Sequence, residues 1–191
     1  MLGRRSLDVK RLGFDNLDRH GDGQEVAAVQ DEVDRLVAAW ARERPDLDVR
    51  PLEVLSRLTR LARHLDRARS TAFAAHGLEV WEFDVLAALR RAGRPYLLSP
   101  GALVAQTMVT SGTMTNRIDR LEARGFVTRE PDLTDRRGVR VRLTTRGKEG
   151  VDSALADLLA REEALLATLS ARQQEQLSGL LRTLVIPFEA D

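Results

Sequence analysis

The chain contains no cysteine. This excludes disulfides, thiol nucleophiles, thiol-based redox sensing and Cys-ligated zinc. Aromatic residues make up only 4% of the 191 positions, so a core has to rest on Leu, Val and Ala. Lysine is nearly missing too: among 30 basic residues only Lys10 and Lys148 are lysines, and the others are arginine. No run approaches the roughly 18 apolar residues of a membrane span, and the start MLGRRSLDVKRLGF has no apolar stretch of the signal-peptide kind. A cytoplasmic location without a membrane partner is the expectation. Histidines are few, and His20, His64 and His76 sit in no nucleophile, metal or phosphate-loop signature. The expectation is therefore a non-enzyme with no metal and no cofactor.

What is present suffices for a folded body. A 43% hydrophobic content at this length argues against general disorder and supports a real core. The net charge of +1 at first argues against a nucleic-acid partner. Split by segment, it reads differently. Residues 110–148 hold ten basic against five acidic side chains, a local +5, which leaves about −4 for the remainder. A surplus carried by arginine favours bidentate contacts over point charges.

Hydrophobic spacing organises the chain. Val26, Val29, Val33, Leu36, Val37 and Trp40 draw one helical stripe, ended by Pro45, and Pro51 opens a second helix. Gly77 and Gly93 bracket a third, Ser99-Pro100 caps a fourth, and Thr110 or Ser111 caps a fifth that stops at Gly125. The period then changes from 3.6 to 2. Residues 126–130 and 139–143 read as strands around the turn-rich stretch PDLTDRRG, with Tyr96-Leu97-Leu98 long enough for a single sheet partner. Leucines recur to Leu184, giving more apolar helix surface than the central unit can cover, and a second subunit is the expected cover.

Short helix, turn, helix and hairpin is the order of a winged helix-turn-helix. Residues 111–124 offer Ser111, Thr113, Thr115, Asn116, Arg117 and Arg120 around a narrow apolar seam of Met114, Ile118 and Leu121. A helix fits the major groove, where Asn pairs with adenine, Arg with guanine, and Thr methyls meet thymine methyls. Arg136 and Arg137 at the hairpin turn suit phosphates or an adjacent minor groove.

The strings TSGTMTNRIDRLEARGFV and PDLTDRRGVRVRLTTRG resemble the DNA-binding half of the MarR family of bacterial regulators. The resemblance implies a mainly α fold with a small β-wing: a winged helix-turn-helix joined into a homodimer by N- and C-terminal helices. It also implies a double-stranded, pseudo-palindromic operator and release from it by a small anionic aromatic effector. The added N-terminal helix with Trp40, together with GLEVWEFDVLAALRRAG, is similar to the urate-responsive subgroup that includes PecS and HucR. That likeness implies a ligand set of Trp40, Asp84, Arg117 and Arg129, with Asp84 paired to Arg129 in the free dimer until the ligand competes for the cation. The expected organisation is a flexible lead-in at 1–22, N-terminal helices at 23–76, the winged unit at 77–148 and dimerisation helices at 149–191. Two alternatives stand beside it: a phenolic effector, or sequence-specific DNA binding without an effector.

Overall fold

The computed structural model describes residues 30–132 and 138–189. The lead-in at 1–22, Val26, Val29 and the wing-tip residues Arg136 and Arg137 lie outside the described residues. The chain divides into two compact units between Arg57 and Leu58.

In the first unit, α1 (Glu32–Glu43) opens on Asp31, whose carboxylate accepts the Val33 and Asp34 N–H groups while Asp34 returns a bond to the Asp31 N–H. This reciprocal box satisfies donors that a helix start leaves orphaned. The Arg57 guanidinium binds both carboxylates, at 2.8 Å to Asp31 and 2.6 Å to Asp34. Those bonds hold Asp31 well below the usual carboxylate range, the Arg57 bond contributing most. Val33 is buried, whereas Trp40 on the same stripe is half exposed.

The long α2 (Pro51–Ala75) starts on its proline and runs on into the second unit. There it is followed by α3 (Val80–Arg91), β1 (Leu97–Leu98), α4 (Pro100–Thr107), α5 (Ser111–Ala123), β2 (Val127–Pro131), β3 (Val139–Leu143), α6 (Thr145–Leu166) and α7 (Ala171–Glu189). The three strands form one antiparallel sheet in the order β1-β3-β2, with Leu97 opposite Arg142 and Arg129 opposite Val141. The mainly helical winged fold is as expected, down to the single partner of the short strand. Gly77 and Gly125 both take positive φ, +67° and +71°, where a side chain would be strained. At Gly125 the Phe126 N–H reaches back to the Leu121 carbonyl, closing α5 tightly onto β2.

One core serves this unit. Phe73 of α2 stacks on Phe83 of α3 at 3.9 Å, in one buried cluster with Leu86, Leu103, Met114, Ile118 and Val141. α7 behaves differently, since none of its residues is buried. Leu180, Leu184, Ile186 and Phe188 all face out.

Candidate nucleic-acid interface and adjoining cleft

α5 is positioned by its seam. Met114, Ile118 and Leu121 are fully buried, which turns Ser111, Thr113, Thr115 and Asn116 outward. The N-cap is Thr110, whose hydroxyl accepts the Thr113 N–H at 3.3 Å and meets the Thr113 hydroxyl at 2.9 Å. The Thr115 hydroxyl donates to the Ser111 carbonyl at 3.1 Å, which leaves its methyl for contact with a partner.

The arginines of α5 follow a second line, spaced three and four apart, and meet the start of α3. Arg117 and Arg120 stand over the Trp81 ring, 5.4 and 4.7 Å from its centroid. Glu79 links the group: one oxygen accepts from Arg120 at 2.7 Å and the other from the Trp81 indole N–H at 2.7 Å. The Glu79 carboxyl is lowered from its ordinary pKa, first by the indole bond and then by the charges of Arg120 and Arg124. One turn deeper, the wholly buried Glu82 accepts from Arg124 at 2.6 Å and from the Glu79 N–H at 2.9 Å. Arg124 also donates to the Gly77 carbonyl at 2.7 Å and lies over Phe126.

Two clefts flank Trp81 and Arg117. One, of about 480 Å³, runs along Gly112, Thr113, Asn116 and Arg120. The other, of about 580 Å³, is walled by Ser70, Ala74, Leu78, Glu79, Val80 and Asp84. An indole and a guanidinium thus separate the polar face of α5 from a hollow behind it.

A sequence profile of the MarR family matches residues 76–138. The HTH-type transcriptional regulator PecS of Dickeya dadantii (strain 3937) is 39% identical over 150 residues, spanning 78% of this chain and 90% of that protein. The chain belongs to the MarR family. The HTH-type transcriptional repressor YetL of Bacillus subtilis (strain 168) is 27% identical over 136 residues, 71% of this chain and 81% of its own length. A mutant of E. coli MarR complexed with operator DNA superposes with a TM-score of 0.57 at 26% identity, covering 76% of this chain and 97% of that one. This MarR-family chain is accordingly a DNA-binding transcriptional regulator and not an enzyme.

The structure distributes the expected residues unevenly. Asp84 and Arg117 line the same cleft. Trp40 belongs to the first unit. Arg129 is not in the cleft lining, and the expected Asp84–Arg129 pair is not formed within the chain. Arg129 binds Asp119 and Glu122 instead, and its N–H donates to Glu122 at 3.0 Å. Asp84 lies 3.6 Å from Arg69. The reason is local: β2 leaves α5 through a tight turn, so Arg129 runs back along the last turns of the helix where Asp119 and Glu122 project.

Acids outside the basic segment draw on its surplus: Arg120 pairs with Glu79, Arg124 with Glu82 and Lys148 with Asp152. Inside it, Arg140 pairs with Asp132 at 2.6 Å, and Arg142 pairs with Glu130 while donating to the Pro95 carbonyl at 3.0 Å. Neither Arg117 nor Arg146 forms an ion pair among the described residues; both lie over aromatic rings. Sequence reasoning missed Glu79, Trp81, Glu82 and Arg124 as a working group. The signal was present in Glu79 and Glu82, two acids three apart just after a glycine, the spacing of a helix-start box.

Proposed function

We propose that this MarR-family regulator is a homodimeric, cytoplasmic repressor released from a pseudo-palindromic operator by urate or a related small anionic aromatic. The observation that carries the reading is the hollow behind α5, where Asp84, Arg117 and the Trp81 ring meet. A planar anion there stacks on the indole and draws on the Arg117 cation, and so acts on the helix that presents Asn116 and Arg120 on its other side. Its charge also repels Asp84 and competes for Arg69. Release requires that the ligand bind the displaced arrangement of α5 more tightly than the DNA-competent one. The resemblance adds Trp40 and Arg129 to the ligand set. Drawing Arg129 off Asp119 and Glu122 would loosen the outer face of the same helix. The uncovered apolar residues of α7 supply the surface a second subunit would bury, and the name of YetL supports repression.

The deciding experiment is a mobility shift on the DNA upstream of the gene itself, with and without urate, and with salicylate as a phenolic comparison. A shifted band that urate dissolves is expected. A urate-insensitive band removes the urate reading, and dissolution by salicylate alone favours a phenolic effector. Asp84→Asn is expected to weaken the urate response while leaving DNA binding and thermal stability intact.

On DNA the division of labour is expected to follow chemistry. Removing Arg136 or Arg137 should weaken binding to all sequences alike and reduce the salt slope by about one unit each. Changing Asn116 or Arg120 should instead relax base preference, at about 1–3 kcal/mol of discrimination per lost bidentate contact. Ser111, Thr113 and Thr115 add methyl and hydroxyl contacts beside them. Anisotropy titrations across a salt series, on matched and scrambled duplexes, separate the two classes.

A further inference from the structure

The contacts at the start of α3 point past the effector to how DNA is read. An arginine side chain is long and rotamer-rich, and base discrimination demands a fixed fork. Arg120 is exposed and lines the cleft along the polar face of α5 beside Thr113 and Asn116. From behind, two contacts close on it and a third ties their partners together. Its Nη2 donates to Glu79 Oε1, the Trp81 Nε1–H donates to Glu79 Oε2, and its guanidinium carbon sits 4.7 Å from the indole centroid. Each Glu79 oxygen is used once. The ring is fixed by the acid, and the cation by both acid and ring. Glu79 takes one Nη2 hydrogen among the described residues, so the second Nη2 hydrogen stays available to form a fork with a neighbouring N–H toward an acceptor outside.

We propose that Glu79 and Trp81 are positioning residues that hold the Arg120 guanidinium in one pose on the recognition helix, and so set base discrimination without touching DNA. This rests on the reading of Arg120 as a base contact. A clasped arginine enters the groove already ordered, and the contact loses less freedom on binding than it would from a free side chain.

The test compares affinity for a duplex selected by the wild-type protein from random sequence with affinity for a scrambled duplex of equal length, without effector and at one salt concentration. Arg120→Ala is expected to lower the selected-to-scrambled ratio. Glu79→Gln, whose amide oxygen still accepts the indole bond but whose charge for Arg120 is gone, should lower the ratio about threefold to fivefold. Trp81→Phe keeps a ring and loses the indole bond, and about a threefold fall is expected. Scrambled-duplex affinity should hold or rise in Glu79→Gln, because a negative charge near the phosphates has been removed. In an Arg120→Ala background, Glu79→Gln should change the ratio by less than about twofold, the result a merely structural role would not give.

Four outcomes overturn the proposal. An unchanged ratio in both Glu79→Gln and Trp81→Phe leaves Arg120 without need of the clasp. A raised ratio in Glu79→Gln makes Glu79 a competitor for Arg120. A loss that persists without Arg120 makes it a fold effect. An unchanged ratio in Arg120→Ala takes down the base-contact reading itself and the proposal with it, and is distinguishable because Glu79→Gln then has nothing to act through.

Discussion

Replacing Gly147 by alanine is expected to cost about 3 kcal/mol, the upper end of what overpacking a tight contact usually costs. A Cβ at this position would lie 2.2 Å from the Phe126 carbonyl oxygen, 3.1 Å from its carbonyl carbon and 2.8 Å from a Leu143 methyl. The leucine methyl can turn away; the carbonyl cannot. That oxygen accepts the Thr144 N–H at 3.1 Å and the Thr144 hydroxyl at 3.0 Å, while the hydroxyl caps α6 through the Gly147 N–H at 3.0 Å. Moving α6 aside therefore breaks the joint between the end of α5, the end of β3 and the cap of α6. Thermal unfolding should report a fall of roughly 6–12 °C for a chain of this size. Gly150→Ala is the matched control. It sits one turn on in the same helix, its added carbon meets only a ring atom of Phe126 at 3.7 Å, and it should be neutral or stabilise by about 0.5–1 kcal/mol. Equal losses at both positions would mean that the Phe126 carbonyl does not set the cost at Gly147.

The contrast between those glycines marks what could be read without coordinates. Caps and stops are local events, so Pro51, Ser99-Pro100, Thr110 and Gly125 placed α2, α4 and α5 correctly. The change of period after Gly125 likewise announced the strands, because alternation is written into consecutive residues. Tight approach is not local. Nothing adjacent to Gly147 tells that a carbonyl 21 positions earlier fills the space of its missing side chain. Charge pairing fails in the same way. The +5 over residues 110–148 left out acids brought in from elsewhere in the chain, and Arg120, Arg124 and Lys148 are committed to Glu79, Glu82 and Asp152. For Asp84 and Arg129 the resemblance predicted a long-range pair, and the nearer acids on α5 took the cation. Of the expected ligand set, Asp84 and Arg117 line one cleft with Trp81, because Asp84 lies one turn along α3 from Trp81 and Arg117 stands over the Trp81 ring.

Arg124→Ala is expected to cost about 3 kcal/mol, at the low end for breaking a buried ion pair. Arg124 is itself 38% exposed, while its partner Glu82 has no exposure at all. Removing the cation leaves that carboxylate with the Glu79 N–H as its remaining hydrogen bond. It also removes a donor from the Gly77 carbonyl and one of the two guanidinium groups over the Phe126 ring. The burden lies mostly on the abandoned charge, which gives a clean check. Adding Glu82→Gln to Arg124→Ala should restore about 1–2 kcal/mol in urea unfolding, since a neutral amide is cheaper to bury and can still accept the Glu79 N–H. Arg124→Lys should fall between the two, because one ammonium cannot reproduce a fork that reaches Glu82 and Gly77 together. If Glu82→Gln restores nothing, the loss belongs to packing at the end of α5. The same variants bear on DNA. Arg124 anchors the C-terminal end of α5 to α3, so losing it should lower affinity for the selected duplex even where the protein remains folded. The rescued double variant, still lacking the anchor, should recover stability without recovering that affinity.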